Sequence, residues 1–181
     1  EEEGPTVGAA LGAFVDPSPE SCDVMATTTI QNAIDTAVAG NTVCVPDGTF
    51  NEDVNINKSI SLIGSGATST TVINGQAGGQ VGAVGIAADS VTVSGFQINA
   101  AAGSVAALRI TGAHTGATVS SNKITAGNGG GAVDTVGGQS NHTFSNNEFV
   151  GSAGAPIVYV NGLASVNVAS ANVDFTQNTF S

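Results

Sequence analysis

A short pattern of alternating apolar and polar residues returns about every 25 residues through the second half of this chain. The pattern starts in successive copies at Val93, Val119, Phe144 and Phe175, and a companion series runs through Ile86, Ile110, Val133 and Val160. A repeat of this length, made of short strands and polar turns, is typical of a solenoid, in which each turn buries its apolar face against its neighbours. The repeat therefore predicts an all-β protein.

One segment near the N-terminus has a different period. Residues 28–38 carry apolar side chains three and four positions apart, which forms a single stripe along a helix. The stripe consists of Ile30, Ala33, Ile34 and Ala37. The spacing predicts a short amphipathic α-helix over 28–38 that covers one end of the solenoid.

Residues 1–26 read as a separate N-terminal arm. Val7, Leu11 and Val15 share one parity in an apolar stretch, which is the period of a strand. This strand has no place in the repeats, so we expect the arm either to dock on a neighbouring subunit or to fold back along its own solenoid. The remaining residues, 27–181, are expected to form a single β-helix domain.

The charge balance excludes two classes of partner. Three residues are basic and fourteen are acidic, so the net charge is −11. Binding a phosphate backbone requires several cationic contacts, and nucleic acid is therefore excluded as a partner. No apolar run reaches the roughly 18 residues of a membrane helix, so we expect no membrane insertion.

The cysteines and the composition suggest an extracellular protein. Cys22 and Cys44 either form a disulfide, which secreted proteins commonly contain, or remain two buried thiols. Position 1 is Glu rather than Met, which is expected if a signal peptide has been removed or left out. Asn57 and Asn141 begin Asn-x-Ser/Thr triplets and are possible glycosylation sites.

Two columns of side chains are expected inside the solenoid. Asn122, Asn147 and Asn178 occupy the same place in successive copies, where Asn can turn a sharp corner and bond the Asn above and below it. The aromatic side chains of the later copies are expected to point inward and stack. They are Phe144, Phe149, Phe175 and Phe180.

The first half of the chain resembles a known class. Residues 30–37 read Ile-Gln-x-Ala-Ile-x-x-Ala, and residues 41–56 read Asn-Thr-Val-x-Val-Pro-x-Gly-Thr-Phe-x-Glu-x-Val-x-Ile. Ile-Ser-Leu-Ile-Gly at 60–64 and Thr-Val-Ile-x-Gly at 71–75 follow. This order is similar to the start of right-handed parallel β-helix proteins of the pectin-lyase-like class. The resemblance implies a right-handed solenoid whose N-terminal end is plugged by the helix.

The resemblance also implies which residues an enzyme of this class needs. Its lyases use an Arg or Lys base beside Ca²⁺-binding carboxylates, and its glycosidases use carboxylates placed close together. Arg109, Lys58 and Lys123 are each expected to be solvated. The acidic residues fall at different places in their repeats or bound turns, and the histidines lie in polar turns. These residues are Glu52, Asp53, Asp89, Asp134, Glu148, Asp174, His114 and His142. We therefore expect a protein that is not an enzyme.

No cofactor or metal is expected either. Residues 129–136 resemble a calcium-binding repeat-in-toxin nonapeptide with Ala132 in place of a Gly, but such sites need consecutive copies to complete the oxygen shell. No regular Thr-x-Thr column is apparent, which argues against an ice-binding face.

Function is the least constrained property, and three hypotheses remain. The first is a secreted structural subunit that assembles head-to-tail with copies of itself into a filament or surface layer. Its interface would join Val7, Leu11 and Val15 of the arm to Phe175 and Phe180 of the neighbour. The second is a carbohydrate-binding or adhesive module with glycans as partners. The third, a polysaccharide lyase or hydrolase, rests on fold analogy alone.

Overall fold

The computed structural model describes residues 22–65, 70–78, 82–137, 140–153, 157–160 and 171–181. Within these residues the strands form three sheets, A, B and C, and all strand pairs are parallel. The chain visits A, B and C in turn and then returns to A one level higher. This path is a parallel β-helix, which confirms the fold predicted from the repeat.

The strands are numbered along the chain. Sheet A contains β1 (Val24–Met25), β2 (Thr42–Val45), β5 (Ser61–Gly64), β8 (Thr92–Ser94), β11 (Thr118–Ser120), β14 (Ser140–Ser145) and β17 (Ala171–Thr176). Sheet B contains β3 (Gly48–Asn51), β6 (Thr71–Asn74), β9 (Gln97–Asn99), β12 (Lys123–Thr125), β15 (Glu148–Val150) and β18 (Thr179–Phe180). Sheet C contains β4 (Val54–Ile56), β7 (Val84–Ile86), β10 (Ala106–Thr111), β13 (Gly131–Val136) and β16 (Val158–Val160).

Identical positions of successive turns stack in columns because every strand pairs in register with the next. In sheet A the inward column runs through Val43, Leu62, Val93, Val119 and Phe144, all of them fully buried. Neighbouring strands lie about 4.8 Å apart, so each side chain covers the one below it. Burying a side chain of this size contributes about 1.5–3 kcal/mol, and the stacked columns form the core.

The register of sheet C differs from the companion series expected from the sequence. That series aligned Ile110 with Val133, but the structure pairs Ile110 with Thr135 and Leu108 with Val133. Val133 and Thr135 both point inward, so a slip of two residues leaves the alternating pattern unchanged. The companion series, which aligned the repeats by hydrophobicity, therefore selected Val133 where the structure places Thr135.

The first strand lies in the range that the sequence analysis assigned to the arm. Val24–Met25 pairs with β2, and Cys22 is joined to Cys44 of β2 by a disulfide bond. The bond closes a loop with a sequence separation of 22, which stabilises the fold by about 3 kcal/mol in the chain-entropy estimate. The disulfide therefore anchors the beginning of the described chain to sheet A.

The lid helix α1 (Ile30–Thr36) is shorter than the predicted span of 28–38. Thr29 caps its start, because the Thr29 hydroxyl accepts the Asn32 N–H. The helix ends at Thr36 because the next residue, Ala37, has an extended backbone. Ile30, Ala33 and Ile34 are buried against the solenoid, as the apolar stripe predicted. No helix in the described ranges has the length and apolar character needed to cross a membrane.

Two charged side chains from the solenoid bind the ends of this helix. The Glu52 carboxylate accepts the N–H groups of Ile30 and Gln31. The Lys58 ammonium donates at 2.8–2.9 Å to the carbonyls of Ile34, Asp35 and Ala37 at the other end. Each charge complements the helix dipole at its end. The prediction that Lys58 is a solvated charge was therefore wrong. Glu52 lies in the turn between β3 and β4, as expected, and also binds the helix.

An asparagine ladder lies inside the corner between sheets A and B. The Asn147 Oδ1 atom accepts the N–H and the Nδ2–H of Asn122, and Asn178 Oδ1 does the same for Asn147. Each Nδ2 also donates to a carbonyl of sheet A, such as Val119 O for Asn147. Asn122 and Asn147 are buried, so these amides satisfy backbone groups that water cannot reach.

A second asparagine ladder, which the sequence analysis did not identify, runs along the outside of sheet B. Asn99 donates to Asn74 at 2.9 Å, and Asn74 donates to Asn51 at 3.0 Å. The three residues occupy paired positions of β3, β6 and β9. This ladder faces solvent, so water can replace its bonds.

Candidate active site

The outer face of sheet C carries a buried ion pair. Arg109 of β10 and Asp134 of β13 occupy paired positions of adjacent turns, and both point outward because their neighbours along each strand point inward. Arg109 Nε lies 3.1 Å from Asp134 Oδ2, and the side chains are only 21% and 5% exposed. The prediction of a solvated Arg109 is therefore wrong, although its outward direction was predicted correctly.

Asp134 is a buried carboxyl group whose pKa is raised. Burial raises its pKa above the ordinary value, and the positive charge of Arg109 only partly offsets this effect. Its Oδ1 atom is buried and has no hydrogen-bond partner among the described residues. An unpaired buried carboxylate oxygen is energetically costly, and a ligand hydroxyl or a water molecule bound there would relieve the cost. Perturbed carboxyl groups of this kind occur frequently at functional sites.

The spacing of 25 residues between Arg109 and Asp134 was the signal that could have revealed this pair. It equals the repeat length, so the two residues share one outward position in consecutive turns. The alignment of Ile110 with Val133 hid the relation, because it would have placed Ala132 beside Arg109.

A second group of titratable residues lies where the chain turns from sheet C to sheet A. The Asp89 carboxylate accepts the Thr115 N–H and lies 3.4 Å from Nδ1 of His114. His142 is fully buried in β14, and its Nδ1 accepts the Ala117 N–H at 3.0 Å. Burial, with a contribution from the charge of His114, lowers the pKa of His142. The expectation that His142 lies in a surface turn is therefore wrong.

The remaining predicted site residues are dispersed. Lys123 and Glu148 form a 3.0 Å ion pair on the outside of sheet B, and Asp174 is exposed on sheet A. Asn57 and Asn141, the possible glycosylation sites, are both exposed. Asp53 accepts the Gln76 N–H. In the described ranges, no three His, Cys, Asp or Glu side chains are grouped so that they could hold a metal ion.

The predicted assembly interface is only partly described. Val7, Leu11 and Val15 lie outside the described residues. Phe175 is half-buried between Phe144 and Phe180, and Phe180 is 51% exposed.

The outside of sheet A carries two columns of hydroxyl side chains. Strands β8, β11 and β14 pair so that their threonines are aligned and their serines are aligned. The columns consist of Thr92, Thr118 and Thr143, and of Ser94, Ser120 and Ser145, all half-buried. No regular Thr-x-Thr column is apparent in the sequence because Ser takes the second place in each strand.

Comparison with known proteins identifies the fold. No protein-family model matches the sequence, and no curated protein matches it. A solved structure of a pectin methylesterase point mutant in complex with hexasaccharide IV aligns with a TM-score of 0.52 and 15% identity. The alignment covers 83% of this chain and 69% of the other. A pectin methylesterase in complex with hexasaccharide VII aligns over the same shares at 14% identity, with a TM-score of 0.45.

The chain has the pectin-lyase-like fold. The resemblance seen over residues 30–75 is thereby confirmed, and so is the right-handed parallel β-helix that it implied. The expectation that the protein is not an enzyme is overturned, because the matching solved structure is that of an enzyme. At 15% identity the likeness establishes the pectin-lyase-like fold alone, and any reaction of this chain is a matter for proposal.

Proposed function

We propose that this protein is an extracellular, carbohydrate-active enzyme that hydrolyses an ester on an uncharged polysaccharide. The observation that carries the proposal is the Arg109–Asp134 pair, in which a buried carboxyl group has a raised pKa and an unpaired Oδ1 beside a guanidinium. The disulfide between Cys22 and Cys44 supports an oxidising, extracellular location.

The surroundings of the pair favour ester hydrolysis over cleavage of a glycosidic bond. Canonical glycosidases need two carboxyl groups that flank the bond. The positions in register with the pair along sheet C are Asn55, Gly85 and Tyr159, none of which is acidic. One carboxylate and one fixed cation suffice for ester hydrolysis.

In the proposed reaction the ionised Asp134 accepts a proton from a water molecule while the oxygen of that water attacks the ester carbonyl carbon. The carbonyl oxygen becomes negative and is stabilised by Arg109, and removing such a stabilising group typically slows a reaction about 100- to 1000-fold. The tetrahedral intermediate then collapses, and Asp134 returns the proton to the departing alcohol. A raised pKa suits this role, because it makes Asp134 a stronger base at neutral pH than an ordinary carboxylate.

The charge of the protein constrains the substrate. With a net charge of −11 and three basic residues, the surface repels polyanions such as a fully de-esterified uronic acid polymer. An esterified or otherwise neutral polysaccharide avoids this repulsion. The bound hexasaccharide of the matching pectin methylesterase is in keeping with an oligosaccharide lying along such a solenoid.

The test is release of methanol or acetate from highly esterified polysaccharides by the purified protein. We expect Asp134→Asn and Arg109→Met to lower the rate at least about 100-fold. The rate of the unchanged protein should fall as the pH is lowered through the pKa of Asp134, because the base must be ionised. Glu148→Gln, which breaks a half-exposed ion pair on sheet B, is the matched control and should retain full activity. Absence of release from every ester, or equal rates in all variants, would contradict the proposal.

Head-to-tail assembly is a second, compatible proposal, and one observation favours it. Phe180, in the last described strand, exposes 51% of its surface while its ring stacks on Phe149 at a centroid distance of 5.2 Å. Such a ring offers an apolar contact to the arm of another copy. Negative-stain microscopy should show filaments of the unchanged protein and of Val105→Asp, an exposed control position, but none of Phe180→Asp or of a chain lacking residues 1–20. Filaments of all four proteins, or of none, would exclude this contact.

A further inference from the structure

One inward column of sheet A contains a titratable side chain. Along this sheet, Ser61, Thr92, Thr118 and Thr143 are paired in register and point outward, so the residue directly before each of them points inward. His142 is one of these residues, and it is itself paired with Val173. The buried members of this column are Ile60, Val91, Ala117 and His142. An imidazole ring therefore replaces an apolar side chain inside the solenoid, between Ala117 below and Val173 above.

The His142 ring forms a hydrogen bond between two adjacent turns of the solenoid. Its Nδ1 accepts the N–H of Ala117 at 3.0 Å, in the turn below, while the Thr143 N–H donates to the Ala117 carbonyl at 2.9 Å. Since Nδ1 accepts a hydrogen bond, the proton of the neutral ring lies on Nε2. A second proton would have to bind Nδ1, where it would face the Ala117 N–H, so that two donors would oppose each other.

The charged groups around the ring do not remove this conflict. His114 and Asp89, which lie in the turns before β11 and β8, form a 3.4 Å pair with each other. Asp89 favours protonation of His142, whereas His114 and burial disfavour it. On the other side, Val173 is apolar, and the neighbouring Asp174 is exposed on the outer face of β17.

We propose that His142 is an acid-sensitive switch that opens the contact between β11 and β14 when its ring is protonated. Opening would release the turns from β14 onward, which carry Phe144 and Phe149, while the lid helix and the lower turns stay closed. The switch concerns the stability of these turns and does not depend on the proposed reaction.

The direction of the pH effect follows from linkage. The pKa of His142 is lowered in the folded protein, so the unfolded or opened state binds the proton more readily. The stability that the neutral ring provides is complete above the unfolded pKa of about 6.5 and is lost as the pH falls from there through the folded pKa. In that window, opening becomes about tenfold more frequent with each pH unit.

The experiment measures protection of the Ala117 amide against hydrogen exchange from pH 8 to pH 5, corrected for the intrinsic rate. We expect protection in the unchanged protein to be constant above pH 6.5 and to fall by about tenfold per pH unit below it. His142→Asn keeps an acceptor near the position of Nδ1 but cannot titrate, so its protection should stay constant. His114→Asn, which removes the partly exposed histidine, should still lose protection below pH 6.5, because the ring of His142 remains. A pH-dependent loss that persists in His142→Asn would overturn the proposal.

A second measurement covers the case in which His142→Asn does not fold. The ring of His142 can be titrated by NMR in the unchanged protein. The pH midpoint of this titration must coincide with the lower end of the pH range over which protection at Ala117 is lost. Protection that falls without titration of His142, or titration of the ring without any loss of protection, would also overturn the switch.

Discussion

Replacing Asn147 with alanine should lower the free energy of unfolding by about 4 kcal/mol. The substitution leaves the Asn122 N–H without its partner in a position that water does not reach, and it removes the bond from Nδ2 to the Val119 carbonyl. Each buried polar group left unpaired costs about 1–3 kcal/mol, and the bonds to Asn122 Nδ2 and Asn178 are lost as well. Urea denaturation monitored by circular dichroism measures the change.

The outer ladder provides the matched control for this prediction. Asn99→Ala also removes an asparagine that bonds its neighbour, but Asn99 is half-exposed and water can replace the lost bond to Asn74. We expect a loss below about 1 kcal/mol for this variant. Equal losses in Asn147→Ala and Asn99→Ala would mean that burial of the inner ladder does not determine its contribution.

Replacing Phe144 with alanine should destabilise the protein by about 3–5 kcal/mol. Phe144 is fully buried, its ring is stacked on Phe175 at a centroid distance of 4.8 Å, and it meets Phe149 edge-on at 6.2 Å. The neighbouring strands cannot move in to close the resulting cavity, because the backbones of β11 and β17 are hydrogen-bonded to β14. Thermal or urea unfolding measures the loss.

Phe180→Ala is the control for this second prediction. Phe180 belongs to the same aromatic cluster but is 51% exposed, so its truncation leaves a surface change rather than a cavity. The loss should be below about 1.5 kcal/mol, in line with its partial burial. A cost for Phe180→Ala as large as that for Phe144→Ala would show that cavity formation is not the cause.

Local patterns in the sequence were sufficient to predict the architecture. Alternation with a period of two, repeated about every 25 residues, predicted parallel strands that stack in register, and the apolar stripe at Ile30, Ala33 and Ile34 predicted the lid helix. The common position of Asn122 and Asn147 in their repeats placed them in one column. These features could be predicted because each depends on the spacing of residues along the chain.

The chemistry of the site depended on which turns meet and on how deeply they are buried. Arg109 was correctly predicted to point outward, but its contact with Asp134 requires the exact pairing of β10 with β13, to which alternation is insensitive. His142 looked like a turn residue because polar residues surround it in the sequence, and only the fold places its ring in the lumen.

Long-range contacts of Lys58 and Glu52 with the lid helix were also invisible in the sequence, since each spans more than 20 residues. The alternation and repeat of apolar residues thus determine the solenoid, because they specify which face of every strand is buried. The pairing of charges and the pKa values of Asp134 and His142 were decided by the tertiary structure, because they depend on inter-turn register and on burial in three dimensions.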